Sequence, residues 1–304
     1  MATQNEQYDI VISKGRVMDA ETNFDVIRSV GIKAVAVALI AVAISAGLNQ
    51  PARAQQAGGI VIDLPEVRNY VSLGAGVVPD YMGSDDYTAG IAPAGLIKFG
   101  ESERYARLLV TELSVNVLDS RNWSLGPVLN YRFARDDVDD DVVELMRDVD
   151  GTAEAGVFAG WTWIGEDDPR HRFTTSVQFL HDVMDEHEGY TASISARYFQ
   201  PVTLPLTLSI GMTATYGSSD YMQTYFGVDS DNAARSGLSE FNAGSGLRDV
   251  RIPVMAIYSL SPKWHIAGGL IYSKLLDDAS DSPIVDDRGS SDQLYAGVGV
   301  AYAW

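Results

Sequence analysis

The fold class is decided by residues 264–272, which have the sequence WHIAGGLIY. Large apolar side chains alternate with smaller ones at period two, which is the spacing of a β-strand with two different faces. One face carries Trp264 and Tyr272 at its ends and aliphatic residues between them. The opposite face in this and similar segments consists mainly of Gly, Ala, Ser and Thr, which would make a poor sandwich core. The segment therefore predicts a strand whose large face meets lipid in an all-β, antiparallel transmembrane β-barrel.

The same alternation recurs from residue 69 to the end of the chain and gives eleven candidate strands. Because bacterial single-chain barrels have an even number of strands, we expect ten to twelve. Either residues 60–67 add a strand or the weakly patterned segment 104–118 must be reassigned. Pro93, Pro127 and Pro253 lie inside strand patterns, and we expect them at bulges or on strand extensions beyond the bilayer. The candidate strands are 69–78, 88–99, 104–118, 122–134, 152–164, 171–183, 189–199, 205–217, 248–260, 263–275 and 292–304.

The only long apolar run lies near the start of the chain. Lys33 precedes an apolar core, Ala34–Leu48, and a small-x-small sequence ends at Ala54. This pattern is typical of a secretory signal peptide, because the core is too short for a transmembrane helix. We expect cleavage after Ala54, which divides the chain into residues 1–54, an N-terminal extension with the signal peptide, and residues 55–304, the barrel.

Residues 8–33 precede and overlap the start of this leader. They resemble the first hairpin of metal-dependent amidohydrolases such as N-acyl-D-amino-acid deacylases. That family's His-x-His metal motif is missing, since the first histidine of the chain is His171. We interpret the segment as a gene-fusion remnant or a start-site artefact, and we infer no deacylase activity from it.

Composition excludes several classes of function. The chain of 304 residues has no cysteine and four histidines, and its net charge is −19. It therefore lacks thiolate chemistry, and it offers no basic stripe for nucleic acid. The acidic residues concentrate in loops 136–150 and 277–292. We interpret these as loops exposed to solvent. The alternative is that their carboxylates bridge to lipopolysaccharide through divalent cations.

Two local clusters resemble chemical sites. His181, Asp182 and His187 form an acid–base group, but strand alternation places the first two on opposite faces and the third in a solvated turn. Residues 229–240 resemble a calcium-binding loop. However, Ala233 stands where the loop needs an oxygen ligand, and Ala234 stands where it needs glycine. We therefore expect neither catalysis nor metal binding. Six charges, Asp182 among them, face the predicted lumen, where we favour mutual pairing over a narrow open pore: Glu112, Arg132, Glu154, Asp182, Arg197 and Arg251.

Three sequence motifs lie between the predicted strands. The first lies at the first hairpin, the second inside the long connection 218–247, and the third before the last strand. Their order and spacing cover nearly the whole chain after the leader. The motif residues are Pro79, Asp80, Tyr81, Gly83, Ser84, Asp85, Asp86 and Tyr87; Tyr225, Phe226, Gly227, Ser236, Gly237 and Leu238; and Asp278, Ala279, Asp281, Ser282 and Pro283. These motifs resemble those of the MipA/OmpV family of outer-membrane proteins.

The resemblance implies an outer-membrane barrel of a Gram-negative bacterium, with neither catalytic residues nor a cofactor. It implies a scaffold for peptidoglycan remodelling, since the family's namesake tethers a lytic murein transglycosylase to a murein synthase. A small-solute channel or an adhesin is the alternative. Tyr302 and the terminal Trp304 resemble the signal that the barrel-insertion machinery recognises. The expected partners are thus outer-membrane lipid, lipopolysaccharide, that machinery and the two murein enzymes.

Overall fold

The structure is a computed structural model that describes residues 17–19, 24–26, 64 and 67–304. Strands β1 (Val17–Asp19) and β2 (Phe24–Val26) pair antiparallel within the amidohydrolase-like segment. The predicted signal peptide and Ala54 lie outside the described residues. In the described part of the chain, no helix combines the length and apolarity needed to cross a membrane.

Twelve further strands form one closed antiparallel barrel. Each strand pairs with its neighbour in sequence, and the last pairs with the first from Ala296 opposite Val77 to Ala303 opposite Tyr70. Closure leaves no sheet edge unpaired. A lipid environment requires such closure, because it offers no water to unpaired backbone groups. The strands are β3 (Asn69–Pro79), β4 (Tyr87–Lys98), β5 (Tyr105–Leu109), β6 (Glu112–Asn116), β7 (Trp123–Arg132), β8 (Thr152–Ile164), β9 (Arg172–Asp182), β10 (Tyr190–Pro201), β11 (Leu206–Gly217), β12 (Gly246–Ser259), β13 (Trp264–Leu275) and β14 (Asp292–Ala303).

The strand count comes out even because the segment predicted as one strand, 104–118, is a hairpin. Its two arms, β5 and β6, have five residues each. Val110 takes a left-handed conformation at the turn, with φ of 58°. A β-branched residue rarely adopts this conformation, so neither periodicity nor turn composition marks the hairpin in the sequence.

The faces of the strands follow the predicted alternation. On β13 the side chains of Trp264, Ile266 and Leu270 are exposed, whereas His265 is buried in the lumen. Aromatic residues form a girdle at each end of the outer surface. One girdle includes Trp123, Trp163 and Trp264, and the other includes Tyr87, Tyr190, Tyr216 and Tyr272. The apolar outer surface is therefore the lipid-facing surface.

The two ends of the barrel differ in the length of their connections. The end that holds the C-terminus has short turns, including residues 99–104, 202–205 and 260–263. The other end carries the long connections 133–151 and 218–245. Because outer-membrane barrels have short periplasmic turns and longer extracellular loops, we assign the long-loop end to the cell exterior.

The three strand prolines do not lie at bulges or beyond the bilayer, so that expectation is wrong. The pairing of β11 with β12 is interrupted at Pro253, opposite Gly211. The pairing of β6 with β7 ends at Val128, next to Pro127. Pro93 lies where β5 ends, and the pairing of β4 with β5 starts one residue later. Each proline is tolerated because one neighbouring ladder stops where its missing N–H would have donated.

The extracellular loops contain all the helices among the described residues. These are α1 (Ser219–Phe226), α2 (Ser230–Ser236), α3 (Asp277–Asp281), α4 (Pro283–Asp286) and a 3₁₀ turn, Val143–Leu145. Side-chain oxygens of Ser218, Asp229 and Ser282 cap the N-termini of α1, α2 and α4. We call residues 80–86, 133–151, 183–189, 218–245 and 276–291 together the cap.

Candidate functional site

The first motif forms the tight connection between β3 and β4. The N–H of Asp80 donates to the carbonyl of Asp86 at 3.0 Å, and the N–H of Ser84 donates to the carbonyl of Tyr81 at 3.0 Å. These bonds turn Tyr81 and Met82 inward, where both side chains are buried. Burial raises the pKa of Tyr81 well above its ordinary value, so its phenol stays protonated.

A glycine is required where the first motif meets the third. Gly83 has a φ of 100°, and a Cβ at this position would overlap the side chain of Val285. Its carbonyl accepts a 2.7 Å hydrogen bond from the N–H of Ser290. The Cδ-amide of Gln293 donates to the carbonyl of Ser84 at 2.9 Å. The absence of a side chain at Gly83 thus lets loop 276–291 pack directly on this turn.

The second motif lies at the end of α1 and is held from two sides. The guanidinium of Arg135 donates to the carbonyl of Tyr225 at 3.1 Å. The hydroxyl of Ser282, in the third motif, donates to the carbonyl of Phe226 at 2.6 Å. Both bonds satisfy carbonyls that the end of the helix leaves without an internal partner. A structural role for Ser282 follows, since its hydroxyl also caps α4.

The three motifs meet in two buried apolar clusters. One cluster joins Met82, Tyr225, Phe226, Ala279 and Val285. The other joins Tyr81 and Val228 to Ile284, together with Val143 and Met146 of loop 133–151. Since these residues come from four loops far apart in the sequence, their packing fixes the loops as one body.

Several motif residues lie at the surface of the cap or on the strand ends next to it. Asp85, Asp86, Tyr87 and Asp281 are exposed, and Pro79 ends β3. Gly237 ends α2 in a left-handed conformation, and Ser236 and Leu238 flank it. Asp278 accepts a hydrogen bond from the N–H of Gly244 at 2.6 Å. These residues shape turns and connect loops, and they do not converge on a common ligand-sized site.

A layer of buried charges lies directly beneath the cap. The guanidinium of Arg132 donates to the carboxylate of Glu154 at 2.9 Å, and Asn130 donates to the same group at 2.7 Å. A ring nitrogen of His187 lies 3.2 Å from Glu154. The rings of Tyr221 and Tyr225, on α1, cover Arg132 at 5.0 and 5.3 Å. The prediction that these lumen charges pair is confirmed for Arg132 and Glu154.

The prediction of a solvated turn at His187 is wrong, because that side chain is 2% exposed. Asp182 explains its position, since this carboxylate accepts hydrogen bonds from the N–H groups of His187 and Glu188. These bonds fold the turn back over the lumen. His181 faces outward, on the opposite side of β9 from Asp182, as strand alternation predicts.

A second charge group completes the layer on the far side of the barrel. Arg248 donates to the carboxylate of Asp249 and to the hydroxyl of Tyr221. Arg251 lies 3.1 Å from the same carboxylate. The sequence did not indicate Arg248 and Asp249, because adjacent strand residues normally face opposite sides. The ladder to β11 shifts register here and skips Arg248, so both side chains turn inward.

Helix α1 therefore crosses the mouth of the barrel. Its residue Tyr221 contacts both Arg132 on β7 and Arg248 on β12, which are well apart around the ring of strands. Beneath it, Glu154 and Asp249 are completely buried. Buried charges are stable only when paired in this way. The cap thus closes the extracellular end of the lumen.

Comparison with known proteins identifies the family to which this arrangement belongs. A family model described as MltA-interacting protein MipA matches residues 71–304. The chain belongs to the MipA family. Outer membrane protein OmpV of Vibrio cholerae is 32% identical over 130 residues, which are 42% of this chain and 48% of that protein. The chain thus spans about half the length of this relative.

Two further similarities concern an interacting protein and a channel. The MltA-interacting protein of Escherichia coli K12 is 31% identical over 81 residues, which are 27% of this chain and 32% of that protein. Among solved structures, the COG4313 outer membrane channel from Pseudomonas putida F1 superimposes with a TM-score of 0.44 and 10% identity, covering 82% of this chain and 99% of that chain. The present chain has MipA-family relatives that are named outer-membrane proteins, and its strands form a closed barrel. It is therefore an outer-membrane protein of a Gram-negative bacterium.

The acidic loops of this MipA-family protein use some of their charges to hold the cap together. Arg288 donates to the carboxylate of Asp140 at 2.7 Å, and Arg147 pairs with Asp229. Although burial alone would raise the pKa of Asp140, the hydrogen bonds from Arg288 and from two backbone N–H groups lower it below its ordinary value. Asp229, the first residue of the segment 229–240 that resembles a calcium-binding loop, is the N-cap of α2. Bridging of the loops to lipopolysaccharide stays a prediction.

The C-terminal residues lie at the periplasmic girdle. The ring of Tyr302 packs against Trp264 at 5.0 Å and stacks on Trp304 at 6.3 Å. The N–H of Trp304 donates to the carbonyl of Asn69 at 3.1 Å, next to the seam where β14 meets β3. Recognition of Tyr302 and Trp304 by the insertion machinery stays a prediction.

Proposed function

We propose that this MipA-family barrel is a non-enzymatic scaffold that holds murein-remodelling enzymes at the periplasmic side of the outer membrane. The observation that carries the proposal is the cap, which closes the lumen toward the cell exterior. A barrel closed on the outside is accessible to other proteins of the envelope chiefly from its periplasmic end. The relative named MltA-interacting protein supports a lytic transglycosylase as one partner and, through the family resemblance, a murein synthase as another.

The periplasmic turns carry apolar side chains suited to a partner. Leu204 is 89% exposed, and Phe99, Val117, Val202 and Leu260 are also exposed on connections at the same end. Exposed apolar residues grouped at one end of a molecule favour protein or membrane contact. We assign the contact with the enzymes to this end.

Affinity capture from detergent-solubilised envelopes tests the proposal. The wild-type barrel should retain a lytic transglycosylase and a murein synthase, and Leu204→Glu should release them. Leu145→Glu is the matched control, because Leu145 is exposed on the extracellular cap. Recovery of neither enzyme with the wild type would contradict the scaffold role.

A small-solute channel is the second candidate function. It is favoured by the polar lumen below the cap, where two adjoining cavities measure about 410 and 430 Å³. Planar-bilayer recording distinguishes the two functions. The scaffold role predicts no unit conductance for the wild type, whereas a channel role predicts discrete steps.

A further inference from the structure

A polar pocket of about 270 Å³ lies in the extracellular cap. We call it the cap pocket, and in the described part of the chain it shares no lining residue with the two lumen cavities. Connections 133–151, 183–189 and 218–245 each contribute to its lining, and eight of its ten lining residues have polar or charged side chains. Because pockets for drug-sized ligands start at about 300 Å³, the cap pocket suits a small and strongly polar ligand.

Arg135 brings a buried cation to the cap pocket. This residue is 5% exposed, and its guanidinium donates to the carbonyl of Tyr225 at 3.1 Å. Within the described residues the guanidinium forms no ion pair and no other hydrogen bond, although it has five N–H donors. Burial lowers the pKa of Arg135 below its ordinary value, as expected for a cation without a direct counter-charge. Such a group is suited to a carboxylate, which a guanidinium binds with charge-assisted hydrogen bonds.

Two amide side chains add hydrogen-bond donors to the same lining. The amide oxygen of Asn232 accepts from the N–H of Arg147 at 2.9 Å, and that of Gln223 accepts from the N–H of Ala243 at 2.8 Å. These bonds fix the orientation of both amides and leave each NH₂ group without an acceptor among the described residues. Asn232 is itself only 7% exposed. The cap pocket therefore offers several donors to the oxygens of a ligand.

Carboxylates in the lining provide for a positive group as well. Glu186 accepts a 2.9 Å hydrogen bond from the N–H of Asp150 with one oxygen, and its other oxygen has no donor among the described residues. Asp148 is exposed and accepts no hydrogen bond from the described part of the chain. Arg147 and Asp229 already pair with each other. A simple anion would be repelled by the two carboxylates, whereas a ligand that also carries a cationic group would be attracted by them.

Backbone pairing holds the groups of opposite charge close together. Arg135 and Val149 exchange two backbone hydrogen bonds, of 2.7 and 3.1 Å. Asp148 precedes Val149, and Asp150, whose N–H donates to Glu186, follows it. The guanidinium and the two carboxylates therefore line one small space. An α-amino acid matches this arrangement, because its carboxylate and its ammonium group are attached to the same carbon atom.

We propose that the cap pocket binds a small zwitterion of the α-amino acid class that arrives from the cell exterior. The carboxylate of the ligand binds Arg135 and the neighbouring amide groups, and its ammonium group binds Asp148 and Glu186. The bound ligand connects the three loops that line the pocket. This site is separate from the periplasmic turns to which we assign the scaffold role.

Ligand-observed saturation-transfer NMR on the full barrel in detergent micelles tests the site with L-serine, 3-hydroxypropionate and ethanolamine. The second compound is serine without its ammonium group, and the third is serine without its carboxylate. Serine should bind about tenfold more tightly than either analogue, because each analogue loses one set of charge-assisted hydrogen bonds. If serine does not bind, or binds no more tightly than one of the analogues, the proposal is overturned.

Asp148→Asn separates recognition of the ammonium group from a general defect. It should weaken serine binding about tenfold and strengthen 3-hydroxypropionate binding about threefold, because it removes a charge that repels an anion. Glu186→Gln should change the two affinities in the same directions. Asp141→Asn, exposed on the same connection but outside the pocket lining, is the matched control and should change neither affinity.

Heat-modifiable gel migration verifies that each variant is folded. A folding defect weakens the binding of both ligands, whereas the proposed contacts predict opposite changes for serine and 3-hydroxypropionate. Weaker binding of both ligands by the folded Asp148 and Glu186 variants would therefore refute the assignment. The scaffold role is unaffected by either result, since enzyme capture is measured at the periplasmic end.

Discussion

Replacement of Gly83 by alanine is the sharpest test of how the motifs build the cap. The left-handed backbone at Gly83 costs a residue with a side chain about 1–3 kcal/mol. The added methyl group would also overlap Val285, and overpacking of this kind costs about 1–3 kcal/mol. The free energy of cap opening should therefore fall by about 2–6 kcal/mol.

A matched glycine separates the two contributions. Gly237 also has a positive φ, at 78°, but nothing lies within 4 Å of the position a Cβ would occupy. Gly237→Ala should therefore cost only about 1–2 kcal/mol, the backbone contribution alone. The double variant Gly83→Ala/Val285→Ala should be more stable against cap opening than the sum of the two single variants predicts, by about 1 kcal/mol or more. The reason is that Val285→Ala removes the methyl groups that the new side chain would overlap.

Hydrogen exchange read by mass spectrometry is the assay, because local opening of a cap is measured without unfolding the barrel. Peptides covering residues 276–291 include the N–H of Ser290, which donates to the carbonyl of Gly83. A loss of 2 kcal/mol accelerates their exchange about 30-fold. If Gly83→Ala and Gly237→Ala accelerate exchange equally, then contact with Val285 does not explain the glycine.

Three further predictions concern charge, pH and assembly. Glu154→Gln leaves a buried arginine without its counter-charge and should destabilise the cap by about 3–5 kcal/mol, measured as faster exchange in residues 218–245, whereas Glu112→Gln should leave that exchange nearly unchanged. The pKa of Asp140 is lower in the folded protein than the ordinary 3.8, so its pair with Arg288 stabilises the cap above about pH 4 and loses that effect as the pH falls further. Cap exchange, corrected for intrinsic rates, should accelerate below pH 4, and a pH dependence that survives in Asp140→Asn would contradict this. Trp304→Ala should lower the fraction of barrel that shows heat-modifiable migration after expression, and an unchanged fraction would count against an insertion signal.

The cap gives the family motifs a common physical role. Their buried members pack three loops together, and Ser282 joins the second motif to the third by a hydrogen bond. Beneath them, α1 places Tyr221 and Tyr225 over Arg132. Burial raises the pKa of Tyr225 well above its ordinary value, so its ring covers the arginine as a neutral group. The motifs therefore specify a closed extracellular end.

The sequence by itself determined the barrel, the two faces of its strands and the family. Each of these depends on local order, because side chains alternate between lipid and lumen along a strand whatever its neighbours do. Residues 264–272 have the same faces in the structure as in the sequence pattern. The motifs also indicated the family, since their order along the chain needs no knowledge of their contacts.

Only the tertiary structure decided how the lumen is closed and what lines it. Gly83 and Val285 are about two hundred residues apart, and they meet because barrel closure brings the first and last hairpins together. His187 is buried by a turn that folds over the lumen, and Arg248 turns inward at a shift in strand register. Periodicity describes neighbours along one strand and carries no information on which loops meet across the mouth of a closed barrel.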